Sequence, residues 1–564
     1  MPPPVLQSDE DPAWWKTGVV YQIYPRSFAD TTGDGVGDLE GITSHLDHLS
    51  GSPSSLGVDA IWLSPIYPSP GHDLGYDISD YASVDPLFGT EANFDRLVAE
   101  AHRRGLKVIL DLVVNHTSDV HPWFTASRRS RAGPYANRYL WGDPAGTDRS
   151  GRPIPPNNWV SFFGGPGWEW DPIRGQFYEH TFLEQQPDLN WRDPGTRADV
   201  TAMMRGWLAR GVDGFRMDVF NSFLKDPELR SNPVRRGRSA WTRQLHLHDK
   251  DQPDLPALLA ELRAVVDEAP GRMTVGELFD GDVGRAARLS AERHLVFDFE
   301  LLQAGWSAAA MGRALDRREA AYGPDRWPTV VLSNHDQPRY VSRWGTGLDR
   351  DALARAAAVL LLTLRGTPFL YYGEELGVPG IVVPNDDAID PPARRAGPDF
   401  AWWNRDQARA PMPWTGDPGA SFTTSRPWLP LSPDAATRNV AAQRADPRSL
   451  LAFYRALLAL RRATPALHAG AYARVAMRTL GVLAFRRRMA DSRALVVLNL
   501  GRRDLTATLA SDIAAEPWDP ALGTHGSSPP GIARSGRINL RALEGVILVA
   551  LDAHAGRACR LPTA

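Results

Sequence analysis

The sequence predicts a (β/α)8 TIM barrel with a subdomain inserted after the third strand and an all-β domain at the C-terminus. Three observations predict this α/β fold. Short β-rich runs alternate with helical patterns through the first 380 residues, one irregular stretch interrupts them, and after about residue 470 strands follow one another without helices. Strands that alternate with helices favour parallel βαβ units, and eight such units close into a barrel.

The eight predicted barrel strands are short apolar runs, each followed by a loop. They are Val19–Tyr24, Ala60–Ser64, Lys107–Val114, Gly214–Asp218, Thr274–Leu278, Leu295–Phe299, Thr329–Ser333 and Pro368–Tyr372. Apolar residues at three- and four-residue spacing predict helices over Phe94–Arg104, Arg197–Arg210, Leu255–Ala269 and Leu353–Leu364. An open doubly wound sheet is the alternative, and the absence of a glycine-rich phosphate turn after the first strand disfavours it.

The rhythm of strands and helices is interrupted from His121 to about Thr181, where Pro, Gly, Asn, Arg and Trp dominate. So long a stretch is not expected to be a structureless loop, so we predict an inserted subdomain. The predicted boundaries are 1–118 and 182–470 for the barrel, 119–181 for the inserted subdomain and 471–564 for a C-terminal β-sandwich domain. A second irregular stretch, Gly380 to about Gln443, follows the eighth strand and is a candidate lid.

The C-terminal domain is predicted from short strands that no regular helix separates. They are Ala471–Arg478, Val482–Arg487, Ala494–Leu500, Leu505–Leu509 and Gly545–Leu551.

Composition and charge exclude several classes of protein. The net charge of -3 argues against a nucleic-acid partner, because phosphate binding needs clustered positive charge. The longest apolar run, Ala356–Leu364, is far shorter than the roughly 18 residues that span a bilayer, so no membrane is expected. Cys559 is the only cysteine, which excludes an intrachain disulfide, and the N-terminus lacks signal-peptide features. We expect a cytoplasmic protein, whose oligomeric state the sequence leaves open.

Acidic, basic and histidine side chains follow four of the predicted strands. They are Asn115 and His116 after the third strand, Arg216 and Asp218 at the fourth, Glu277 at the fifth, and Asn334, His335 and Asp336 after the seventh. Each alone could be a solvated rim residue, but the C-terminal ends of barrel strands carry catalytic groups. The chain has no HExxH pair and no serine in a nucleophile elbow. A carboxylate cluster in that setting favours glycosidic-bond chemistry.

The neighbours of the two central acids predict opposite protonation states. Arg216 lies two residues before Asp218 on the same strand face, which favours the ionised carboxylate. Leu278 and Phe279 follow Glu277 and are consistent with a desolvated carboxyl group of raised pKa.

Five sequence motifs carry a family resemblance. They are DLVVNHTS at Asp111–Ser118, QPDLNW at Gln186–Trp191, GFRMDVF at Gly214–Phe220, GELF at Gly276–Phe279 and SNHDQPR at Ser333–Arg339. Together they resemble the signature regions of the α-amylase superfamily of glycoside hydrolases, family 13, over essentially the whole chain. QPDLNW, ARAPMPW at Ala408–Trp414 and YYGEELG at Tyr371–Gly377 are similar to the α-glucosidase and oligo-1,6-glucosidase branch.

The resemblance implies a role for each matching residue. Asp218 is the expected nucleophile, Glu277 the general acid and base, and Asp336 the stabiliser of the distorted sugar. His116 and His335 resemble the pair that binds glucose hydroxyls. Asp73 with Arg409 resembles an ion pair that closes the glucose pocket beside Tyr76, which implies exo-action. Phe163 and Phe182 are pocket aromatics in the same resemblance, with a core role as the alternative.

The first βα loop, DTTGDGVGDLE, places oxygen-bearing side chains at alternating positions between glycines. Such spacing suits a hard cation, although the helices of an EF-hand are missing. The loop is similar to a structural metal site of this branch, which implies Ca²⁺ or Mg²⁺ bound by Asp30, Thr32, Asp34, Val36, Asp38 and Glu40. Thr32 stands where asparagine is usual, and a solvated acidic turn is the alternative. No organic cofactor is expected.

The linkage that the enzyme cleaves stays open at this stage. In the branch that the chain resembles, valine after the nucleophile is common in enzymes that cleave α-1,6 bonds, so Val219 favours that linkage. The motif NHDQPR, however, also resembles maltose-active members. We therefore expect small α-glucosides as substrates. A transglycosylase or glucosyl isomerase is the alternative, although the stretch Val341–Gly345 does not resemble the RLDRD-like loop of isomaltulose-forming members. A non-catalytic homologue is disfavoured because Asp218, Glu277 and Asp336 are all retained.

Overall fold

The computed structural model describes residues 13–278, 281–345, 347–395, 404–526 and 529–551. Cys559, the lone cysteine, and Phe279, which follows Glu277 and Leu278, lie outside these ranges. No helix within them has the length and apolar character needed to cross a membrane.

The strands of the described ranges are numbered in chain order. They are β1 Val20–Ile23, β2 Ala60–Leu63, β3 Lys107–Leu112, β4 Trp141–Gly142, β5 Gly146–Thr147, β6 Pro153–Ile154, β7 Trp168–Asp171, β8 Gln176–Glu179, β9 Gly214–Met217, β10 Met273–Gly276, β11 Leu295–Val296, β12 Thr329–Val331, β13 Thr367–Tyr371, β14 Ala471–Val475, β15 Val482–Met489, β16 Ser492–Asn499, β17 Leu505–Thr508, β18 Asp519–Gly523, β19 Arg537–Leu540 and β20 Gly545–Leu551.

The α-helices are numbered in the same way. They are α1 Trp14–Thr17, α2 Leu39–Ser44, α3 Leu46–Leu49, α4 Glu91–Arg103, α5 Pro122–Arg129, α6 Pro194–Ala209, α7 Leu255–Val266, α8 Val283–Leu289, α9 Glu300–Gln303, α10 Ala308–Tyr322, α11 Tyr340–Trp344, α12 Arg350–Thr363, α13 Pro391–Arg395, α14 Val440–Ala445, α15 Leu450–Ala463, α16 Pro465–Ala469 and α17 Ser511–Ala514.

The eight predicted barrel strands form one parallel sheet, which confirms the predicted fold. Its order is β11-β10-β9-β3-β2-β1-β13-β12, so the two strands at its edges, β11 and β12, are the sixth and seventh of the barrel. The side chain of Thr329 bridges that seam, because its Oγ1 accepts a hydrogen bond from Asp298 N at 2.9 Å. The sheet is therefore a nearly closed barrel, and the C-terminal ends of its strands meet at one mouth.

Two barrel helices, α4 and α6, begin three residues earlier than their apolar periodicity suggests. Helix α4 starts at Glu91 because Thr90 and Asn93 form a reciprocal capping box. Helix α6 starts at Pro194, which is compatible with the first turn, and the side chain of Asp193 caps it. Caps rather than core contacts set these N-termini, which explains the three-residue difference from prediction.

The segment predicted as an inserted subdomain carries its own small sheets. Strands β4, β8 and β7 form a three-stranded antiparallel sheet, and β5 pairs with β6. In the candidate lid, residues on both sides of the gap at 396–403 share an apolar cluster that includes Ile381, Val383 and Leu429. The exact domain boundaries stay a prediction.

The C-terminal region is an antiparallel sheet in the order β14-β15-β16-β20-β18, with β17 and β19 as a separate pair. Its strands bury both faces. Leu483 and Val496 belong to the main core shared with the barrel, whereas Val482 and Val497 join a second core with the β17–β19 pair. Strands β18 and β19 were not predicted, because their side chains are largely exposed and give no continuous apolar run.

Candidate active site

A cavity of about 120 Å³ opens at the C-terminal mouth of the barrel. It is lined by Asp73, Tyr76, His116, Phe162, Phe163, Phe182, Asp218, Val219, Glu277, Leu278, Phe299, Leu302, Gln303, Asn334, Asp336, Gln337 and Arg405. The space is small beside the roughly 300–1,000 Å³ of drug-sized sites, so it suits a single sugar ring. The structure thus brings four predicted acids and one predicted histidine into one pocket.

Arg216 lies at the centre of the acidic cluster. The parallel register places Arg216 of β9 beside Asp111 of β3 on one side and Val275 of β10 on the other. Its Nη1 donates to Asp111 Oδ1 at 2.7 Å and to Asp218 Oδ1 at 2.6 Å, while Nη2 contacts Glu277 Oε2. Because Arg216 is only 1% exposed, one guanidinium group holds three buried carboxylates together.

The two central acids hold protons more tightly than free carboxyl groups. Burial, opposed by Arg216 and reinforced by Asp218 and Asp336, raises the pKa of Glu277 to about 8. Burial also raises the pKa of Asp218 to about 7, with Arg216 opposing and with Asp111 and Asp336 adding to the effect. Two like charges that share a site cannot both ionise easily. The order of the two pKa values makes Asp218 the group that ionises first and Glu277 the group that still holds a proton to donate.

Asp336 differs from both central acids in its protonation. Burial opposes ionisation, but His335, Arg405, Arg409 and Arg216 together lower the pKa of Asp336 below its usual range. Its Oδ1 accepts from Arg409 Nη2 at 3.1 Å and from Arg405 Nη1 at 3.4 Å. Asp336 therefore supplies a fixed negative charge to the pocket wall at neutral pH.

The ion pair at the pocket floor joins Asp73 to Arg405, so the predicted pairing of Asp73 with Arg409 is wrong. Arg405 Nη2 donates to Asp73 Oδ1 at 2.5 Å, and its Nε donates to Asp390 at 2.7 Å. Arg409 instead donates from Nε to the main-chain oxygen of His335 at 2.9 Å. Arg405 begins the short turn Arg405–Ala408 and Arg409 follows it, so the sequence did not reveal which of the two arginines faces Asp73.

Tyr76 and His335 form a hydrogen-bonded stack behind the acids. Their rings lie 5.5 Å apart and nearly parallel. Gln22 Nε2 donates to His335 Nδ1 at 2.9 Å, so the proton of the neutral ring is on Nε2, which lies 2.5 Å from Tyr76 OH. Tyr76 OH in turn donates to Asp111 Oδ2 at 3.0 Å. His335 is absent from the residues that line the cavity, so its predicted contact with sugar hydroxyls remains untested.

His116 lines the cavity, and an apolar cluster stands beside it. Its ring packs edge-on against Phe182 at 5.3 Å, and its Nε2 lies 3.0 Å from the main-chain oxygen of Tyr76. Phe163, Phe182, Leu183 and Val219 share one buried cluster, with Phe162 packed against it. Phe163 and Phe182 are therefore both core residues and pocket residues, which the sequence analysis treated as alternatives.

Val219 adopts a strained backbone next to the central acid. Its φ is 34° and its ψ is 40°, which is the left-handed region, and it precedes the short turn Phe220–Ser222. A β-branched residue rarely occupies that region, and strain of this kind concentrates at functional sites. The bend directs Asp218 and Val219 into the same cavity.

A buried lysine that the sequence analysis missed supports the wall that carries His116. Lys225 Nζ donates to Asp188 Oδ2 at 2.9 Å and to Thr181 Oγ1 at 2.8 Å. Asp188 Oδ2 also accepts from Asn115 Nδ2 at 2.9 Å, next to His116. Lysine is almost never buried without such partners, but its sequence position gives no sign of them.

The predicted metal loop uses its carboxylates for hydrogen bonds. Asp30 accepts from the main-chain nitrogens of Gly33 and Gly35, Asp38 caps α2, and Asp34 accepts from Val36 N. Glu40 pairs with Arg96. In the described ranges no three His, Cys, Asp or Glu side chains converge to hold a metal. The cation site expected at Asp30, Thr32, Asp34, Val36, Asp38 and Glu40 therefore stays a prediction from the sequence.

Comparison with known proteins gives concordant similarities. A family model described as the catalytic domain of alpha amylase matches residues 22–470. A probable alpha-glucosidase from Rhizobium meliloti (strain 1021) is 45% identical over 486 residues, which cover 83% of this chain and 85% of that protein. An oligo-1,6-glucosidase from Heyndrickxia coagulans is 38% identical over 549 residues, with 91% and 96% covered. The crystal structure of an alpha-glucosyl transfer enzyme matches with a TM-score of 0.87 at 42% identity, over 96% of this chain and all of that one.

Proposed function

Because the chain belongs to the family of the alpha-amylase catalytic domain and is a glycoside hydrolase, we propose that it is a retaining, exo-acting α-glucosidase of short α-glucosides. One observation carries the proposal: Asp218 and Glu277 contact the same buried guanidinium group of Arg216 in a small pocket. Carboxyl groups held that closely favour the retaining mechanism, in which they stand roughly 5 Å apart.

In the proposed first step the Asp218 carboxylate attacks C1 of the terminal glucose while Glu277 donates its proton to the glycosidic oxygen. The C1–O bond breaks, the aglycone leaves as an alcohol, and a β-glucosyl ester of Asp218 forms. Glu277, now ionised, then takes a proton from water, whose oxygen attacks C1. That step releases α-glucose and restores both side chains.

The electrostatics of the pocket support this division of labour. The higher pKa of Glu277 keeps it protonated when Asp218 has ionised. The negative charge of Asp336 faces the place where positive charge would develop on the sugar ring. Burial disfavours the charged form of Arg216. Asp111, Glu277 and Asp218 outweigh that effect and raise the pKa of Arg216 well above its ordinary value, so Arg216 stays charged.

We propose exo-action because one end of the pocket is closed. Asp73 and Arg405 both line the cavity and bond to one another, so they form a polar barrier where a second sugar unit would continue. A cavity of about 120 Å³ leaves room for the non-reducing terminal glucose.

Product analysis tests the proposal. The purified protein is incubated separately with maltose and isomaltose, and NMR follows the anomer of the glucose that is released first. We expect α-glucose from at least one sugar; β-glucose as the first product would refute the retaining mechanism. Isomaltose cleaved well ahead of maltose would support Val219 as the linkage determinant, and the reverse order would contradict that assignment.

A transfer reaction is the second candidate, favoured by the 42% identity to an alpha-glucosyl transfer enzyme. The same ester of Asp218 would then pass its glucosyl group to a sugar hydroxyl in place of water. New trisaccharides that appear before free glucose, and in proportion to added acceptor, would support transfer. Glucose alone at every acceptor concentration would exclude it.

A further inference from the structure

Asp111 is a buried acid behind the two proposed catalytic acids. It lies on β3, its side chain is fully buried, and it is absent from the residues that line the cavity. Its Oδ1 accepts a hydrogen bond from Arg216 Nη1 at 2.7 Å, and its Oδ2 accepts one from Tyr76 OH at 3.0 Å. Asp111 can therefore act on a bound sugar only through its neighbours.

Arg216 shares one nitrogen between Asp111 and Asp218. Its Nη1 donates to Asp218 Oδ1 at 2.6 Å as well as to Asp111, and its Nη2 contacts Glu277. The parallel register of β3 and β9 sets Asp111 beside Arg216, whereas Asp218 and Glu277 follow the ends of β9 and β10. The guanidinium group thus has one acidic partner inside the barrel wall and two at the cavity.

The three acids change their charge in different ways during the proposed reaction. In the free enzyme Asp218 is ionised and Glu277 is protonated, whereas in the glucosyl ester Asp218 is neutral and Glu277 is ionised. Burial, opposed by Arg216, raises the pKa of Asp111 to about 6, which is below the values of about 7 for Asp218 and about 8 for Glu277. Asp111 therefore stays ionised at neutral pH while the other two acids exchange their charge.

The charge of Asp111 matters most in the second step, when Glu277 must take a proton from water. A cation in contact with a carboxylate favours its ionised form and so makes it a weaker base. The esterified Asp218 carries no charge at this stage. Without Asp111, Glu277 would therefore be the only ionised acid among the three that contact Arg216, and the whole guanidinium charge would act on it.

We propose that Asp111 is a positioning residue for the second step, which holds Arg216 and offsets its charge so that ionised Glu277 can deprotonate water. The proposal rests on the proposed retaining mechanism. Among the described residues, the other charged or titratable groups around the three acids are Tyr67, Tyr76, Tyr81, Arg216, His335 and Asp336. Burial raises the pKa values of the three tyrosines, so they stay neutral.

Azide tests the proposal in full-length Asp111→Asn with 4-nitrophenyl α-glucoside as substrate. An azide nitrogen attacks C1 of the ester, the bond from C1 to the Asp218 oxygen breaks, and the carboxylate is restored without a proton transfer to Glu277. We expect Asp111→Asn to lower kcat by about 10- to 100-fold, which is part of what a general base contributes. Azide should then raise kcat by about fivefold or more and give α-glucosyl azide, whereas the wild-type protein should change by less than about twofold.

The pH profile of kcat/KM gives a second readout, because it reports the free enzyme. Burial raises the pKa of Asp218, Arg216 opposes that rise, and the charge of Asp111 adds to it. Asp111→Asn removes the added charge, so the acid limb of the profile should move to lower pH. A loss of packing alone would lower activity without moving this limb.

Two further variants separate this role from a loss of stability. Asp111→Ser, which is also uncharged but smaller, takes the place of Asp111→Asn if the asparagine does not fold. Asp298→Asn is the matched control, because Asp298 is another buried barrel acid that lies 3.0 Å from a buried arginine, Arg318, and does not line the cavity. We expect Asp298→Asn to lower the melting temperature without any rescue by azide.

Three results would each overturn the proposal: no rescue by azide in the Asp111 variants, an equal rescue in Asp298→Asn, or an acid limb that does not move. Failure of the proposed function has a different signature. It would appear in the wild-type protein as β-glucose released first, or as near-normal turnover in Asp218→Asn.

Discussion

The two ends of the barrel bury arginines in opposite ways. At the C-terminal mouth Arg216, Arg405 and Arg409 contact carboxylates. At the N-terminal end Arg461 and Arg487 donate to main-chain oxygens at the ends of helices and neighbouring loops.

This difference distinguishes arginines that act on the catalytic acids from arginines that stabilise the fold. A carboxylate changes its charge with pH and with its neighbours. Burial raises the pKa values of Asp218 and Glu277, and the pairing with Arg216 at the mouth opposes that rise. A main-chain oxygen does not titrate, so Arg461 and Arg487 stabilise the helix ends and loops that they contact and do not act on a catalytic acid. Changes at the mouth should therefore alter turnover, and changes at the other end should alter stability.

The largest expected effect is that of Asp218→Asn. Without a carboxylate no glucosyl ester forms, so kcat/KM should fall by about four orders of magnitude or more. The variant should also be at least as stable at pH 7. The pKa of Asp218 is raised on folding, so stability is lost as pH rises from the unfolded value towards about 7, and the amide removes that loss. Kinetics with maltose and circular dichroism melts measure both effects. Asp351→Asn, a change at an exposed acid, is the control and should keep its turnover. Near-normal turnover in Asp218→Asn would refute the nucleophile assignment.

Next in size is the pH dependence of kcat/KM. Asp218 must be ionised and Glu277 protonated, so activity should fall as pH drops through about 7 and also as it rises through about 8. Glu277→Gln should lower kcat/KM for maltose by about 10²- to 10⁴-fold and abolish the basic limb. A basic limb that persists in Glu277→Gln would assign the acid to another residue.

A smaller effect is expected at the pocket floor. Arg405→Met leaves Asp73 buried without its cation, so KM for the disaccharide should rise about 10- to 100-fold with a lesser change in kcat. Arg405→Lys should not restore the affinity, because lysine cannot contact Asp73 and Asp390 through one planar group. If Arg409→Met raised KM and Arg405→Met did not, the pairing inferred from the sequence would be the functional one.

At the other end of the barrel Arg487→Met should affect stability and leave kcat unchanged. The substitution takes the arginine donor from the main-chain oxygens of Gly470 and Thr363 and removes one of the two arginine donors of Leu467, which should cost about 2–3 kcal/mol in the free energy of unfolding. Urea unfolding measures the loss. Arg488→Met, the exposed neighbour on the same strand, is the matched control. A fall in kcat without a loss of stability would contradict the division between the two ends.

The smallest effect is expected from metal removal. Asp30 and Asp38 already accept main-chain hydrogen bonds in the first βα loop, so EDTA should lower the melting temperature by no more than about 2 °C and leave kcat unchanged. A large stabilisation by Ca²⁺ that Asp30→Ala abolishes would instead support the cation site predicted from the sequence.

Much of the fold could be predicted because the signals are local. All eight barrel strands lie where short apolar runs predicted them, and Asp218, Glu277 and Asp336 share the cavity that their strand-end positions indicated. The identity of the partners was less accessible. Arg405 and Arg409 are equivalent in sequence, and the partners of Lys225 lie 37 and 44 residues away along the chain.

The sequence by itself determined the order of strands and helices, the family and the set of acids at the barrel mouth. Periodicity and short motifs depend only on residues that are close together in the chain. The tertiary structure decided which arginine closes the pocket, that His335 stands behind Tyr76, and that the buried arginines at the far end donate to main-chain oxygens. These features depend on side chains that approach from distant segments, where packing and the exclusion of water decide which charges meet.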